Sequence, residues 1–224
     1  VVNDAGLNFA VSTVGGALSA TATTGNITDS GALTITGTST FVTIANDATI
    51  TLDQGGHAFT GALLITTNDT STDTAGDVTI SAGSGAVLDF GNSTIDGDLI
   101  ATSSNTTGII DSGAMTVRGT ASFRTTAANA DISLGTSTLG DGTGTDTITL
   151  NTTGSGGDAT LDNGTTAVAL GTSAASLVTS VGGNLTLTSG AARRWLRSWI
   201  AWTTSSLPVP LSPRTSTVAV EPAA

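Results

Sequence analysis

The chain has no cysteine, tyrosine or lysine among its 224 residues, and it has only one glutamate, Glu221, and one histidine, His57. The lack of cysteine excludes disulfides, thiolate nucleophiles and cysteine-ligated zinc sites. Glu and Lys lose little side-chain freedom in a helix, so their scarcity argues against a helical fold. The net charge of −11 argues against nucleic acid as a partner, since phosphate contacts require Lys and Arg.

Thr, Gly, Ala, Ser and Asp dominate the composition instead. Thr favours pleated strands, whereas Gly and Asp favour tight turns, so the composition indicates many short strands joined by turns. No stretch reaches the roughly 18 apolar residues of a membrane span. The chain opens on Val1 without an initiating Met or a signal peptide, and we expect residue 1 to be an internal point of a longer polypeptide.

The sequence changes character near Gly190. All three Trp, all four Pro and four of the six Arg lie after this residue. Sixteen of the 17 acidic residues are aspartates before it, and Glu221 is the other one. We therefore predict a repeat region over residues 1–190 and an atypical tail over residues 191–224.

The first part contains a long internal repeat. Residues 27–38 (ITDSGALTITGT) return 82 positions later as residues 109–120 (IIDSGAMTVRGT), and the match continues at the same offset to Phe41 and Phe123. Self-similarity at a fixed period is the signature of solenoids and arrays. It favours a solenoid over a sandwich or barrel, although strands spaced by 8–12 residues occur in all three.

Within each repeat, short segments alternate an apolar residue with Thr or Ser, which is the pattern of a strand with one buried face. We predict an all-β solenoid with coils of about 20 residues, hence about four coils per long repeat, and with Thr ladders on its outer surface. The residues predicted to point inward are Ile35, Phe41, Ile50, Leu52, Phe59, Ile65, Ile80, Phe90, Ile95, Val117, Phe123, Ile132, Leu134, Ile148, Leu150, Leu185 and Leu187.

Residues 25–34 (GNITDSGALT) and 181–190 (VGGNLTLTSG) resemble repeats of very large bacterial exoproteins, the filamentous-haemagglutinin-like and autotransporter-type adhesins. The resemblance covers roughly residues 10–190. It implies a right-handed parallel β-helix, export across the outer membrane, and a role in adhesion or surface structure. It carries no catalytic residues, and it ends where Gly190 is followed by Ala-Ala-Arg-Arg-Trp instead of another repeat block.

Three interpretations of the tail stay open. The leading one is a shifted reading frame or gene-calling error from about residue 191. The second is a genuine cap, because residues 193–202 read as an amphipathic helix, with Trp195 and Trp199 opposite Arg194 and Arg197. The third is a membrane-surface helix over the same residues, which would be the chain's one membrane contact. Residues after 203 are expected to be largely extended or disordered.

We expect no catalytic, cofactor-binding or metal-binding residues. His57 follows a Gly-Gly turn signal, so we predict that it lies on a loop without a function. Residues 142–149 (GTGTDTIT) match one copy of a calcium-binding nonapeptide, but such sites need stacked copies. Asp69, Asp73 and Asp77, together with Asp96 and Asp98, could converge with an Arg as in β-helical polysaccharide enzymes, although solvated turn aspartates are the simpler interpretation.

The sequence therefore favours a structural or adhesive repeat segment of a secreted or cell-surface bacterial protein, and not an enzyme. Its expected partner is a surface receptor or glycan, or the neighbouring repeats of the same polypeptide. The alternatives are a polysaccharide-acting enzyme or carbohydrate binder, and an ice-binding solenoid. Ice binding would require one flat array of the Thr pairs Thr34/Thr36, Thr49/Thr51, Thr147/Thr149 and Thr186/Thr188.

Overall fold

The computed structural model describes residues 1–70, 75–141, 146–171 and 178–190. All strand pairing in these ranges is parallel, and they contain no helix. The strands are β1 (Val2–Asn3), β2 (Leu7–Phe9), β3 (Ser12–Val14), β4 (Leu18–Ala22), β5 (Ile27–Asp29), β6 (Leu33–Ile35), β7 (Ser39–Asn46), β8 (Ile50–Phe59), β9 (Leu63–Asn68), β10 (Val78–Ala82), β11 (Leu88–Phe90), β12 (Ser93–Ile95), β13 (Leu99–Ser103), β14 (Gly108–Asp111), β15 (Met115–Val117), β16 (Ala121–Ala128), β17 (Asp131–Leu134), β18 (Ser137–Leu139), β19 (Ile148–Thr153), β20 (Ala159–Asp162) and β21 (Leu185–Thr188).

The strands form a solenoid with two sheets. Sheet I has 12 strands and follows the path β1-β4-β7-β9-β11-β14-β17-β20-β21, while sheet II has 9 strands and follows β19-β16-β13-β10-β8-β5-β2. The nine successive positions along sheet I correspond to about eight coils. Coil length varies: Val2 pairs with Thr21, 19 positions on, whereas Ile50 pairs with Val78, 28 positions on. The predicted β-solenoid is confirmed, with coils that often exceed 20 residues.

Each coil has one straight strand on one side and a bent pair of short strands on the other. In the first coils the bent side belongs to sheet II, as in β2/β3, β5/β6 and the irregular β8. After β10 the bent side belongs to sheet I, as in β11/β12, β14/β15 and β17/β18. The change occurs on β9, which pairs with straight β7 on one edge and with both β11 and β12 on the other.

The long sequence repeat therefore spans a half-integral number of coils. Sheet II runs from β5 through β8 and β10 to β13, which is three coils, and β14 lies half a coil further in sheet I. Strand β14 is the sequence equivalent of β5, because Asp29 and Asp111 are 82 positions apart. Equivalent phrases thus lie on opposite sides of the solenoid, and the estimate of four coils per repeat corrects to three and a half.

The core is a thin stripe of inward side chains. All of the residues predicted to point inward are buried hydrophobics. Phe41 contacts Phe9 and Phe59 edge-on, with ring centroids 6.0 and 6.2 Å apart, and Phe90 contacts Phe123 in the same way at 6.3 Å. Each coil thus buries its few apolar side chains largely against the neighbouring coils, which is how a solenoid of apolar-poor coils becomes stable.

Predicted threonine ladders are present on the outside, but on both sheets. Thr66, Thr94, Thr116 and Thr138 are successive Cα partners on sheet I. The pairs proposed for ice binding do not share one face, since Thr51 lies in sheet II, Thr186 lies in sheet I and Thr149 is fully buried.

The tail hypotheses for residues 191–224, including the helix at 193–202, concern residues outside the described ranges.

Candidate functional site

Aspartate and asparagine side chains at the corners bind the next coil. Each of these carboxylate or amide oxygens accepts a hydrogen bond from a backbone N–H about one coil further along the chain. The acceptor–donor pairs are Asn26–Thr49 (3.0 Å), Asp77–Asp98 (2.9 Å), Asn92–Ala114 (2.9 Å), Asp98–Thr120 (2.7 Å), Asp131–Asp158 (2.8 Å), Asn151–Ser180 (2.8 Å) and Asp158–Asn184 (2.7 Å). The turn aspartates are therefore hydrogen-bond acceptors that join successive coils. The interpretation of these aspartates as solvated side chains did not include this structural role.

Asp111 is the most heavily used of these acceptors. Its Oδ1 accepts the N–H of Gly135 at 2.7 Å, and its Oδ2 accepts the N–H of Thr136 at 2.9 Å and the Ser137 hydroxyl at 3.0 Å. The carboxylate thus fixes the corner between β17 and β18 to the end of β14. Ionised acceptors make stronger hydrogen bonds than neutral ones, so this corner is held firmly.

The equivalent aspartate in the first copy, Asp29, binds the only histidine. Its two oxygens accept the N–H groups of Asp53 at 3.1 Å and Gln54 at 3.3 Å. Nε2 of His57 lies 2.8 Å from Oδ2 of Asp29, and both side chains are fully buried. The ring N–H is not aligned with that oxygen, so the contact is a close electrostatic one and not a well-formed hydrogen bond.

The other ring nitrogen of His57 completes the strand ladder. Its Nδ1 accepts the backbone N–H of Leu33 at 2.9 Å, in the place where a strand carbonyl would normally accept it. Because Nδ1 is an acceptor, the neutral ring carries its proton on Nε2, which faces Asp29. The ring also stacks on Phe59, with centroids 5.5 Å apart.

Burial lowers the pKa of His57 from its ordinary value. Desolvation of the imidazolium is the largest cause, and it outweighs the charge and close contact of Asp29 and the charge of Asp53, which raise the pKa. The ring is therefore neutral at pH 7. His57 lies within β8 and is fully buried, so its prediction as a loop residue was wrong.

The second copy places a serine where the first has His57. Leu33 and Met115 are sequence equivalents. Ser137 is the register partner of Met115, and His57, which accepts the Leu33 N–H, comes directly before the Thr34–Ala58 pair. Simple alignment at 82 positions would instead match His57 to Leu139, because β8 carries extra residues at Gly55-Gly56. The aspartate of the repeated Asp-Ser-Gly-Ala phrase therefore has a histidine partner in one copy and a serine partner in the other.

The aspartates considered for polysaccharide chemistry converge in part. Oδ2 of Asp96 accepts the Asp69 N–H at 3.0 Å, and its Oδ1 lies 2.9 Å from Nη1 of Arg118. Oδ2 of Asp96 is thus hydrogen-bonded, its Oδ1 is ion-paired with Arg118 without an aligned hydrogen bond, and the side chain is largely buried. Asp73 lies outside the described residues, and so do residues 142–145 of the calcium-like motif.

Two further carboxyl groups, those of Asp98 and Asp146, have raised pKa values. Burial is the main cause for Asp98, with the charge of Asp77 adding to it and the Thr120 N–H opposing it. Burial is also the main cause for Asp146; the Asp141 N–H, which donates to it, opposes this rise, and the charges of Asp141 and Asp98 add to it. Across the described residues, no group of three or more His, Cys, Asp or Glu side chains is arranged to hold a metal ion, and none of their segments is a helix long and apolar enough to cross a membrane.

The stacked parallel coils and their corner contacts define a repeat protein of the β-solenoid class. Residues 1–66 and 75–138 each match the family described as Repeats of unknown function (DUF5649), and the chain belongs to this family. The two matches contain the two copies of the Asp-Ser-Gly-Ala phrase. No curated protein and no solved structure matches the chain.

Proposed function

We propose that the chain is a structural and adhesive repeat segment of a secreted or cell-surface bacterial protein, and that its solenoid acts as a stiff, non-catalytic spacer. The observation that carries this proposal is the continuous parallel stacking from β1 to β21, which extends about 38 Å at about 4.8 Å per coil. Corner aspartates and asparagines join successive coils along this length. Such a rod would project a receptor- or glycan-binding surface away from the cell, or join neighbouring repeats.

The resemblance to adhesin repeats supports the bacterial surface location. The acidic composition supports it too, since self-repulsion keeps an extended β-rich protein soluble. We do not extend the proposal to catalysis on glycans, because Asp96 is committed to Asp69 and Arg118. Nor do we extend it to ice binding, because the threonine pairs that would form the array lie on different sheets.

Antibodies raised against the purified chain are expected to label intact cells of the source bacterium. Protease added outside the cells is expected to remove this labelling while a cytosolic marker stays intact. The measurement is fluorescence of intact and permeabilised cells in parallel. Labelling that requires permeabilisation would contradict the surface location and leave only the structural part of the proposal.

The spacer model also predicts that length can be removed in units of the long repeat. Deleting residues 30–111 joins Asp29 to Ser112, which restores the Asp-Ser-Gly-Ala phrase and keeps bent pairs stacked on bent pairs. We expect a folded variant whose maximum dimension in small-angle scattering is shorter by three and a half coils, about 17 Å. The matched control deletes residues 30–103, which places β14 directly after β5, two strands of the same kind. This control is expected to lose its β-sheet circular dichroism or to aggregate, and equal folding of both deletions would refute the coil assignment.

A further inference from the structure

The contact between the second coil (β4–β6) and the third coil (β7 and β8) contains a histidine ring, which no other described contact between coils contains. Here β6 is joined to β8 through a ring nitrogen, since the Leu33 N–H donates to Nδ1 of His57. The next residues return to ordinary strand pairing, with Thr34 opposite Ala58 and Ile35 opposite Phe59. A titratable side chain thus replaces a peptide carbonyl within the hydrogen-bonded ladder.

Protonation of His57 is incompatible with this arrangement. In the imidazolium both ring nitrogens are donors, so Nδ1–H would face the Leu33 N–H with no acceptor between them. The charged groups that face the ring are Asp29 on β5 and Asp53 on β8 itself. Of the other neighbouring strands, β6 presents the Leu33 N–H, which is a donor, and β10 presents Ala82 as the register partner of His57, so neither offers a side-chain acceptor for the new proton.

We propose that the junction of β6 with β8 is an acid-operated opening in sheet II, in which protonation of His57 releases Leu33 and separates β5 and β6 from β8, while β4 stays paired with β7 in sheet I. The closed junction holds the neutral ring, whereas an opened junction exposes the ring to water. Opening therefore takes up a proton, and a fall in pH drives it.

The separated strand edges would be free to pair with strands of other chains. Opening exposes the backbone groups of β5, β6 and β8, which are otherwise paired, and it exposes the buried side chains of Ile27, Leu33 and Phe59. Unpaired parallel edges are templates for pairing with further chains. An acidic medium would thus give the rod an open edge in sheet II, at which it can associate at a defined position.

The second copy of the repeat provides an internal control. Met115 and Ser137 occupy the places of Leu33 and His57, and the Met115 N–H donates to the carbonyl oxygen of Thr136 at 3.3 Å, which does not titrate. The Ser137 hydroxyl still donates to Asp111. The same corner thus occurs in this molecule with and without a histidine in the strand ladder.

Hydrogen exchange of the full chain, followed by mass spectrometry and corrected for intrinsic rates, tests the proposal between pH 7.5 and pH 5. We expect protection of peptides covering Leu33 and residues 53–59 to fall by about tenfold for each pH unit below about 6.5, until the ring in the closed junction itself protonates. Peptides covering Met115 and residues 135–139 should keep their protection.

The variant His57→Asn separates this mechanism from general acid destabilisation. Its Oδ1 can accept the Leu33 N–H in place of Nδ1, but it does not titrate, so protection should become independent of pH in this range. His57→Ser, which copies Ser137, serves as a second variant. The proposal is overturned if the wild-type junction keeps its protection at pH 5, if both copies lose protection equally, or if His57→Asn retains the full pH dependence.

Discussion

Gly108→Ala is expected to destabilise the solenoid by about 3–5 kcal/mol, one of the largest effects available from adding a single methyl group. Gly108 begins β14 with φ of 93°, a conformation that L side chains rarely adopt. A Cβ at this position would also overlap the backbone carbonyl oxygen of Asp131, its register partner in the next coil. Backbone strain accounts for about 1–3 kcal/mol, and displacement of the following coil accounts for the rest.

The matched control is Gly15→Ala. A Cβ at Gly15 meets nothing within 4 Å, and its φ lies outside the left-handed region, so we expect a change within about 0.5 kcal/mol. Urea unfolding followed by circular dichroism measures both variants against the parent chain. Equal stability of the two variants would show that strands β14 and β17, in adjacent coils, do not approach each other as closely as described.

Much of the fold follows from short-range patterns in the sequence. Alternation of apolar residues with Thr or Ser identifies which side chains face inward, because the period of a strand is two residues wherever one face is buried. The stripe from Ile35 to Leu187 was predictable for this reason. The repeat of Asp29 at Asp111 then implied stacking, since segments so poor in apolar bulk cannot form a core alone.

The arrangement of the coils does not follow from those patterns. The period of a sequence repeat is measured in residues, but the number of stacked coils depends on coil length. The separation of bridge partners in adjacent coils varies from 19 residues to 29. The exchange of straight and bent sides at β9 therefore has no signature in the period of the repeat. Coil length varies because some coils carry extra residues, such as Gly55-Gly56 within β8, while the strands on either side stay paired.

The role of the corner residues was hidden for a related reason. An aspartate in a turn has the same sequence signature whether water or the next coil donates to it. The partner of Asp29 was harder still to predict, because the extra residues at Gly55-Gly56 shift His57 by two positions against its equivalent. No fixed spacing identified this partner, since His57 lies 28 positions after Asp29 whereas Ser137 lies 26 positions after Asp111.

Phe41→Ala is expected to cost about 3–5 kcal/mol, because it leaves a cavity at a side chain that is fully buried. Its ring contacts Phe9 in the first coil and Phe59 on the opposite sheet, so both lose a partner. The matched control is Phe9→Ala, the same substitution in the first coil, where the ring is only partly buried and has the single ring contact with Phe41. We expect this control to cost about 1–2 kcal/mol, in proportion to the smaller area buried.

The two substitutions also differ in how far their effects spread. In a solenoid each coil contacts only its neighbours, so a weak coil uncouples the coils on either side of it. Hydrogen exchange of Phe41→Ala should show lost protection over residues 7–59 while residues 88–161, around Phe90 and Phe123, stay protected, because their aromatic pair is independent of Phe41. Loss of protection throughout the chain would mean that the whole rod unfolds as one unit. The stiffness required of a spacer would then come from the cooperativity of the entire stack and not from contacts between adjacent coils.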